Sequence, residues 1–173
     1  MRHIKMPEHG EYPSYADMYM KWLPDDGLIL NHMKDNFRKV KEFVYGLPDE
    51  KLYRRYAPGK WSVKETLVHI VDDERIYAYR ALCIARNEKN NLNGFEQESY
   101  VRYSDADHRE LDNIFNEYEA VRNATITLFN GLPEDSLTRM GTGDGKKYTV
   151  RALAFHIAGH ELHHFNLIKT VYR

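Results

Sequence analysis

The sequence predicts an all-α protein built as a four-helix bundle, and three observations carry that expectation. Four long segments place apolar residues at helical spacing, the two halves of the chain repeat one another weakly, and no strand pattern of useful length competes. At 173 residues with a single cysteine, Cys83, the chain reads as one domain spanning 1–173. It can bury about two-thirds of its unfolded surface without disulfides and suits a reducing compartment.

Residues 1–25 hold Tyr12, Tyr15, Tyr19 and Trp22, too many aromatics to leave in water, and are expected to form an ordered arm. The first helix, about 26 to 45, buries Ile29, Met33, Phe37, Val40 and Val44 and stops at Gly46-Leu47-Pro48. The second opens with the capping box Ser62-Val63-Lys64-Glu65 and continues through Leu67, Ile70, Val71, Ala78 and Ala81 to about Asn87. A segment at 88–104, rich in Asn, Glu and Tyr, is the expected crossover between two hairpins. The third helix, about 105 to 130, takes Ser104 as its N-cap, buries Leu111, Phe115, Tyr118, Val121 and Leu128, and closes at Gly131-Leu132-Pro133. The fourth, about 149 to 172, opens at Thr149.

The internal repeat supports this division. Gly46-Leu47-Pro48-Asp49-Glu50-Lys51-Leu52 resembles Gly131-Leu132-Pro133-Glu134-Asp135-Ser136-Leu137, and Trp61-Ser62-Val63-Lys64 with His69-Ile70 resembles Tyr148-Thr149-Val150-Arg151 with His156-Ile157. Two such helical hairpins packed face to face form a bundle, and bundles place metal sites between facing helices. The 25 basic and 26 acidic side chains are intermixed, so no basic face is set up for phosphates and nucleic acid is disfavoured as a partner. No apolar run approaches the roughly 20 residues that span a bilayer, so no membrane is expected and the protein is assigned to the cytoplasm.

The most specific chemistry lies in His156-Ile157-Ala158-Gly159-His160-Glu161-Leu162-His163-His164. His156, His160 and His164 recur every four residues, so on a helix each is turned only about 40° from the last. They share an arc with Leu153, Ile157, Leu167 and Val171, the face this helix should bury, where three imidazoles need partners. His163 falls at the edge of that stripe. The string His160-Glu161-Leu162-His163-His164 also fits the zinc-metallopeptidase motif, but the nine residues after it, Phe165 to Arg173, offer no third His, Asp or Glu. The missing ligand must come from upstream. His69, which the repeat pairs with His156, is the best candidate, although it lies to the side of its own apolar stripe, so the second helix must be buried on more than one face. Three neutral imidazoles with one open position make a catalytic sphere for zinc or nickel. Asp73, one turn after His69, is placed to accept a ligand's other ring N–H or to hold a bound water. Tyr56, Trp61 and Tyr100 are candidate pocket walls.

These motifs resemble the DinB-like superfamily, in its DinB_2 type, which is similar in turn to the bacillithiol transferases and mycothiol-dependent isomerases. The resemblance rests on Pro58-Gly59-Lys60-Trp61-Ser62-Val63-Lys64-Glu65 leading to His69 and Asp73, on Gly94-Phe95-Glu96-Gln97, on Thr149-Val150-Arg151 leading to the histidine run, and on Pro7-Glu8-His9-Gly10-Glu11-Tyr12. It implies an up-down-down-up four-helix bundle, often a homodimer, holding a divalent metal through His69, His160 and His164, with His156 in support. Zinc or nickel is the expected ion, with manganese and iron also admitted. Many relatives follow the last histidine with Arg-Gly-Gln; Phe165-Asn166-Leu167 stands here instead.

By that resemblance the protein is a metal-dependent enzyme acting on a small molecule. The ion would lower the pKa of a bound thiol or water, with Glu161 or Asp73 assisting proton movement. Having no reactive Cys of its own, the protein would take a low-molecular-weight thiol as cosubstrate for S-transfer, or water for hydrolysis; analogy alone tilts slightly to transfer. The alternative is a non-catalytic binding or sensing module in which the ion stabilises the bundle.

Overall fold

The computed structural model describes residues 1–171. After a 3-10 turn at Ser14–Ala16, the elements are α1 (Asp17–Met20), α2 (Ile29–Tyr45), α3 (Asp49–Leu52), α4 (Val63–Ala85), α5 (Gln97–Tyr103), α6 (Leu111–Gly131), β1 (Met140–Gly143), β2 (Lys146–Thr149) and α7 (Val150–Val171). The expected end of the last helix at Tyr172 lies outside the described residues.

α2, α4, α6 and α7 form the up-down-down-up bundle. α2 and α4 each pack against both α6 and α7, so α2 sits diagonally across from α4 and α6 diagonally across from α7, while the consecutive pair α4 and α6 lie side by side. Local chemistry sets the starts. The Ser62 hydroxyl accepts from Glu65 N at 3.0 Å while the Glu65 carboxylate accepts from Ser62 N at 2.7 Å, closing the expected capping box on α4. Thr149 Oγ1 accepts from Ala152 N at 3.3 Å and begins α7 as expected.

Two expectations need correction. The third long helix starts at Leu111, not near 105, and Ser104 does not cap it. Asp105 takes a left-handed φ of 53°, which breaks the helical path, and the crossover contains a separate helix, α5, whose N-terminal amides are capped by the Glu96 carboxylate. Second, the stretch between the third and fourth long helices, where no strand is expected, forms a two-residue hairpin: β1 pairs antiparallel with β2, and Asp144 and Gly145 take φ of 53° and 70°. Two consecutive left-handed residues match the right-handed twist of a tight hairpin, and Asp-Gly is the pair that adopts them most readily. Met140 to Thr149 was short and polar enough to hide this pattern.

The arm is ordered as expected. Thr149 N donates to Glu11 O at 2.9 Å, and Arg151 holds the Glu11 carboxylate at 2.6 Å, which pins the arm to the start of α7. α1 then crosses α7 at Gly159, where an added Cβ would lie 2.7 Å from Tyr19 O. Only glycine allows that approach.

Buried apolar side chains fall into two clusters, and each long helix changes from one to the other at a buried polar residue. α2 switches at Asn36, α4 at Asp73 and Glu74, α6 at Arg122, and α7 at His160 and Glu161. A polar belt therefore divides the core. Half of it is an ion-pair network: Arg122 Nη2 lies 2.8 Å from Glu74 Oε2, Arg122 Nη1 lies 3.1 Å from Glu161 Oε2, the same guanidinium donates to Met33 O, and Tyr118 Oη donates to Glu161. Arg122 thus ties all three other long helices together. Replacing it by Met strands two carboxylates, and Arg122→Met is expected to lose about 3–5 kcal/mol of stability in urea unfolding.

Candidate metal centre

The other half of the belt is the histidine cluster. His69 projects from α4, and His160 and His164 from successive turns of α7, because residues four apart on a helix share a face. His69 Nε2 and His164 Nε2 each lie 3.1 Å from His160 Nε2. α4 is buried on several faces, which is how His69 can be 1% exposed while standing beside its apolar stripe. Trp61 packs on His69 with ring centroids 4.5 Å apart and stacks near His164 at 6.2 Å, while its Nε1 donates to Glu98 at 3.0 Å.

With each Nε2 unprotonated, the three nitrogens would converge as acceptors and call for a shared positive charge. Protonation is a poor source: burial pushes His69 and His160 below the ordinary 6.5, with neighbouring imidazoles lowering His160 further, and burial followed by His69 lowers His164 to about 3. Neutral imidazoles are the ligating form. Tetrahedral coordination at 2.0–2.1 Å needs ligand nitrogens about 3.3 Å apart, close to the separations found. The donor set therefore fits a divalent cation. Among the described residues, His69, His160 and His164 are the group that can hold one, with no fourth side chain joining them.

Asp73 stands behind His160. Its Oδ2 lies 3.3 Å from His160 Nδ1 and 3.4 Å from His156 Nε2, within ion-pair reach though aligned for a hydrogen bond with neither. A carboxylate in this place is where the second ring N–H of a metal-bound histidine is normally received. His156 supports this layer from the side, stacked on Tyr77 at 3.7 Å and near-parallel. Tyr19 of the arm closes over the row, its ring edge-on to His156, His160 and His163.

Glu161 does not face this cluster. One residue is about 100° of helix, and that turn carries its side chain to Tyr118 and Arg122 on the opposite side of α7. Burial raises its proton affinity, while Arg122 and Tyr118 oppose the shift. Its partners mark it as part of the ion-pair network, so the expected proton-transfer role has no geometry behind it. Sequence reasoning missed Arg122, whose burial in a polar-looking stretch of α6 gave no signal, and Glu98, which lies in the crossover.

Two cavities flank the cluster. One of about 180 Å³ opens beside His164 and is lined by Tyr56, Lys60, Trp61, Thr66, Glu98 and Leu167, among others. The other, about 320 Å³, reaches Asp73 and His156 from the hairpin side. Tyr56 and Trp61 thus wall a pocket as expected, while Tyr100 lines neither cavity and packs at 5.1 Å on Phe95, which lines the second.

A diagonal bundle with three histidines converging from two of its helices defines a class of helical metal proteins. Residues 32–168 match the DinB superfamily in its DinB_2 form, and the chain belongs to that superfamily. It is 25% identical over 142 residues to a protein of Oceanobacillus iheyensis provisionally named a metal-dependent hydrolase, OB0413, covering 81% of each chain. Its fold is also similar to YfiT from Bacillus subtilis, described as a probable metal-dependent hydrolase with an unusual four-helix bundle topology: TM-score 0.76, 14% identity, covering 97% of this chain and 91% of that one. No helix among the described residues is long and apolar enough to cross a membrane.

Asp73→Asn keeps the shape but weakens the carboxylate; it is expected to raise the Kd for zinc by about 10–100-fold with the melting temperature little changed, as titration calorimetry would show. The depressed histidines also set a pH dependence. The unfolded chain binds protons at about 6.5 and the folded chain only below that, so their contribution is present above 6.5 and lost as the pH falls towards about 3. Metal-free protein should therefore melt at progressively lower temperature below pH 6.5, and His164→Gln should flatten that slope.

Proposed function

We propose that the protein is a divalent-metal-dependent hydrolase of a small molecule, with His69, His160 and His164 holding the ion. The single observation that carries this reading is the convergence of three neutral imidazoles with no fourth protein donor among the described residues. A structural ion is normally sealed by four protein ligands, whereas three leave a position for a reactant. The names of OB0413 and YfiT support hydrolysis over S-transfer. The only cysteine, Cys83, is not among the residues lining either cavity, so a thiol would have to come from solution.

When bound, a divalent cation supplies Lewis acidity, lowering the pKa of a water and polarising a carbonyl. The residues of the chain do the rest. Asp73 holds His160 in its ligating tautomer and stabilises charge that builds on that ring. Trp61 fixes the planes of His69 and His164, whose Nδ1 atoms have no protein partner. Glu98, held by Trp61 Nε1 in the cavity beside His164, is the carboxylate placed to accept a proton there. Tyr19 and the apolar wall from Leu167 and Ile168 limit water around the cluster.

Protein loaded separately with zinc, nickel and manganese should hydrolyse members of a panel of activated esters and amides. Turnover should fall to background on chelation, return on adding metal back, and be absent in His160→Ala with helical content retained. Turnover seen only with thiols and electrophiles would assign S-transfer instead, and none with any metal or substrate would leave the non-catalytic module.

A further inference from the structure

The larger cavity contains a charge that the metal centre does not use. Arg80 of α4 is 2% exposed, donates one hydrogen bond from Nη2 to Asn93 O at 2.9 Å, and leaves Nε buried without a partner. No ion pair to it forms among the described residues. Asp144 is near enough to feel the charge of Arg80 but pairs with Lys146, so the buried guanidinium has no carboxylate in direct contact, which is costly. The seat is nevertheless built for it. The Tyr77 ring lies 4.7 Å from the guanidinium carbon, and at Gly143 a Cβ would come within 3.0 Å of Arg80 Nε, so the hairpin needs glycine there to make room.

Two acids line the same cavity, and neither forms an ion pair with Arg80. Asp144 pairs with Lys146 at 2.9 Å, and Asp73 faces His156 and His160. The hydroxyls are not all spent. Tyr15 Oη lies 2.8 Å from Tyr148 Oη and 3.2 Å from Tyr77 Oη. Three hydroxyls carry three hydrogens, and two of them make these two bonds, so one O–H is left to donate to something else.

We propose that this cavity binds the carboxylate of a small anionic substrate, paired with Arg80 and capped by the spare tyrosine hydroxyl. A planar fork of donors with one added hydroxyl matches a planar monoanion. Arg80 follows Asp73 by seven residues, about 10 Å along α4, so the carboxylate lies roughly that far from the layer that orients His160. A compact acyl compound with a distal carboxylate fits that span and a volume of about 320 Å³. The word substrate rests on the hydrolase reading; binding of the anion does not.

Glutarate titrated into metal-free protein tests the site without any turnover, with uncharged glutaramide as control. Glutarate is expected to bind and glutaramide not, and Arg80→Met should weaken glutarate about tenfold or more while zinc affinity stays as in the wild type. Should Arg80→Met fold poorly, Tyr15→Phe removes a hydroxyl at the cavity edge and should weaken glutarate several-fold on its own. Equal binding to wild type and both variants, or no glutarate binding by the metal-free wild type, overturns the proposal. On an ester that the zinc protein hydrolyses, Arg80→Met should raise KM for the form bearing a distal carboxylate and leave its neutral analogue unchanged. Glutarate binding without any hydrolysis would sink the hydrolase reading alone, and hydrolysis without glutarate binding would sink the anion site alone.

Discussion

The centre depends on the axial register between α4 and α7, and a buried guanidinium sets it. Glu74 follows Asp73 on α4, and Glu161 follows His160 on α7. Arg122 grips both followers from α6, at 2.8 Å and 3.1 Å. One residue turns the helix by about 100°, so the same two short segments present their carboxylates to Arg122 and their ligand layer to the other side. A slip of one turn between the helices is about 5.4 Å, well beyond the 3.1 Å separation of His69 and His160 Nε2 atoms. Burial opposes the charge on Arg122, yet Glu161 and Glu74 hold its proton more firmly than usual, so the guanidinium stays charged.

The cost of so many buried polar groups falls on a single layer. Each long helix contributes apolar residues above and below the belt, so the two hydrophobic clusters clamp it from both ends; the Arg122 half satisfies its own charges, whereas Asn36 Nδ2, Asp73 Oδ2 and both His156 ring nitrogens are buried without a hydrogen bond. This separation explains why the arm matters. Tyr19 packs edge-on to His156, His160 and His163, and the approach that brings it there is open only because residue 159 has no side chain. Arm, belt and ligand row are thus one packing problem with one solution.

Much of this was legible from residue types and spacing. The four long helices, the Ser62 box, the Thr149 start and the row of His156, His160 and His164 all follow from local rules, whereas the grouping of His69 with His160 and His164 came from the family resemblance. What escaped were features decided by partners distant in sequence. Glu161 fits a peptidase motif, and only the position of Arg122, 39 residues away, shows which way it turns. The Asp144-Gly145 hairpin did carry a local signal, the dipeptide itself, but its flanks do not alternate, and a helical expectation for the surroundings masked it. Arg80 is the hardest case, because an arginine on a long helix reads as solvent-facing until the hairpin is seen to cover it.

The placement of charge then separates two tasks along one helical groove. Down α4, His69, Asp73, Tyr77 and Arg80 follow at near-helical spacing, and His164, His160 and His156 run beside them on α7. The ligand row is made of neutral rings, so a cation held there would keep most of its charge and polarise a reactant strongly. Asp73 adds negative charge only through His160, and so orients that ring without occupying a coordination position. Farther along, the groove becomes cationic at Arg80. Had the carboxylate of residue 73 been a ligand instead, it would have offset part of the charge of a cation held there; it stands one layer back, 3.3 Å from His160 Nδ1.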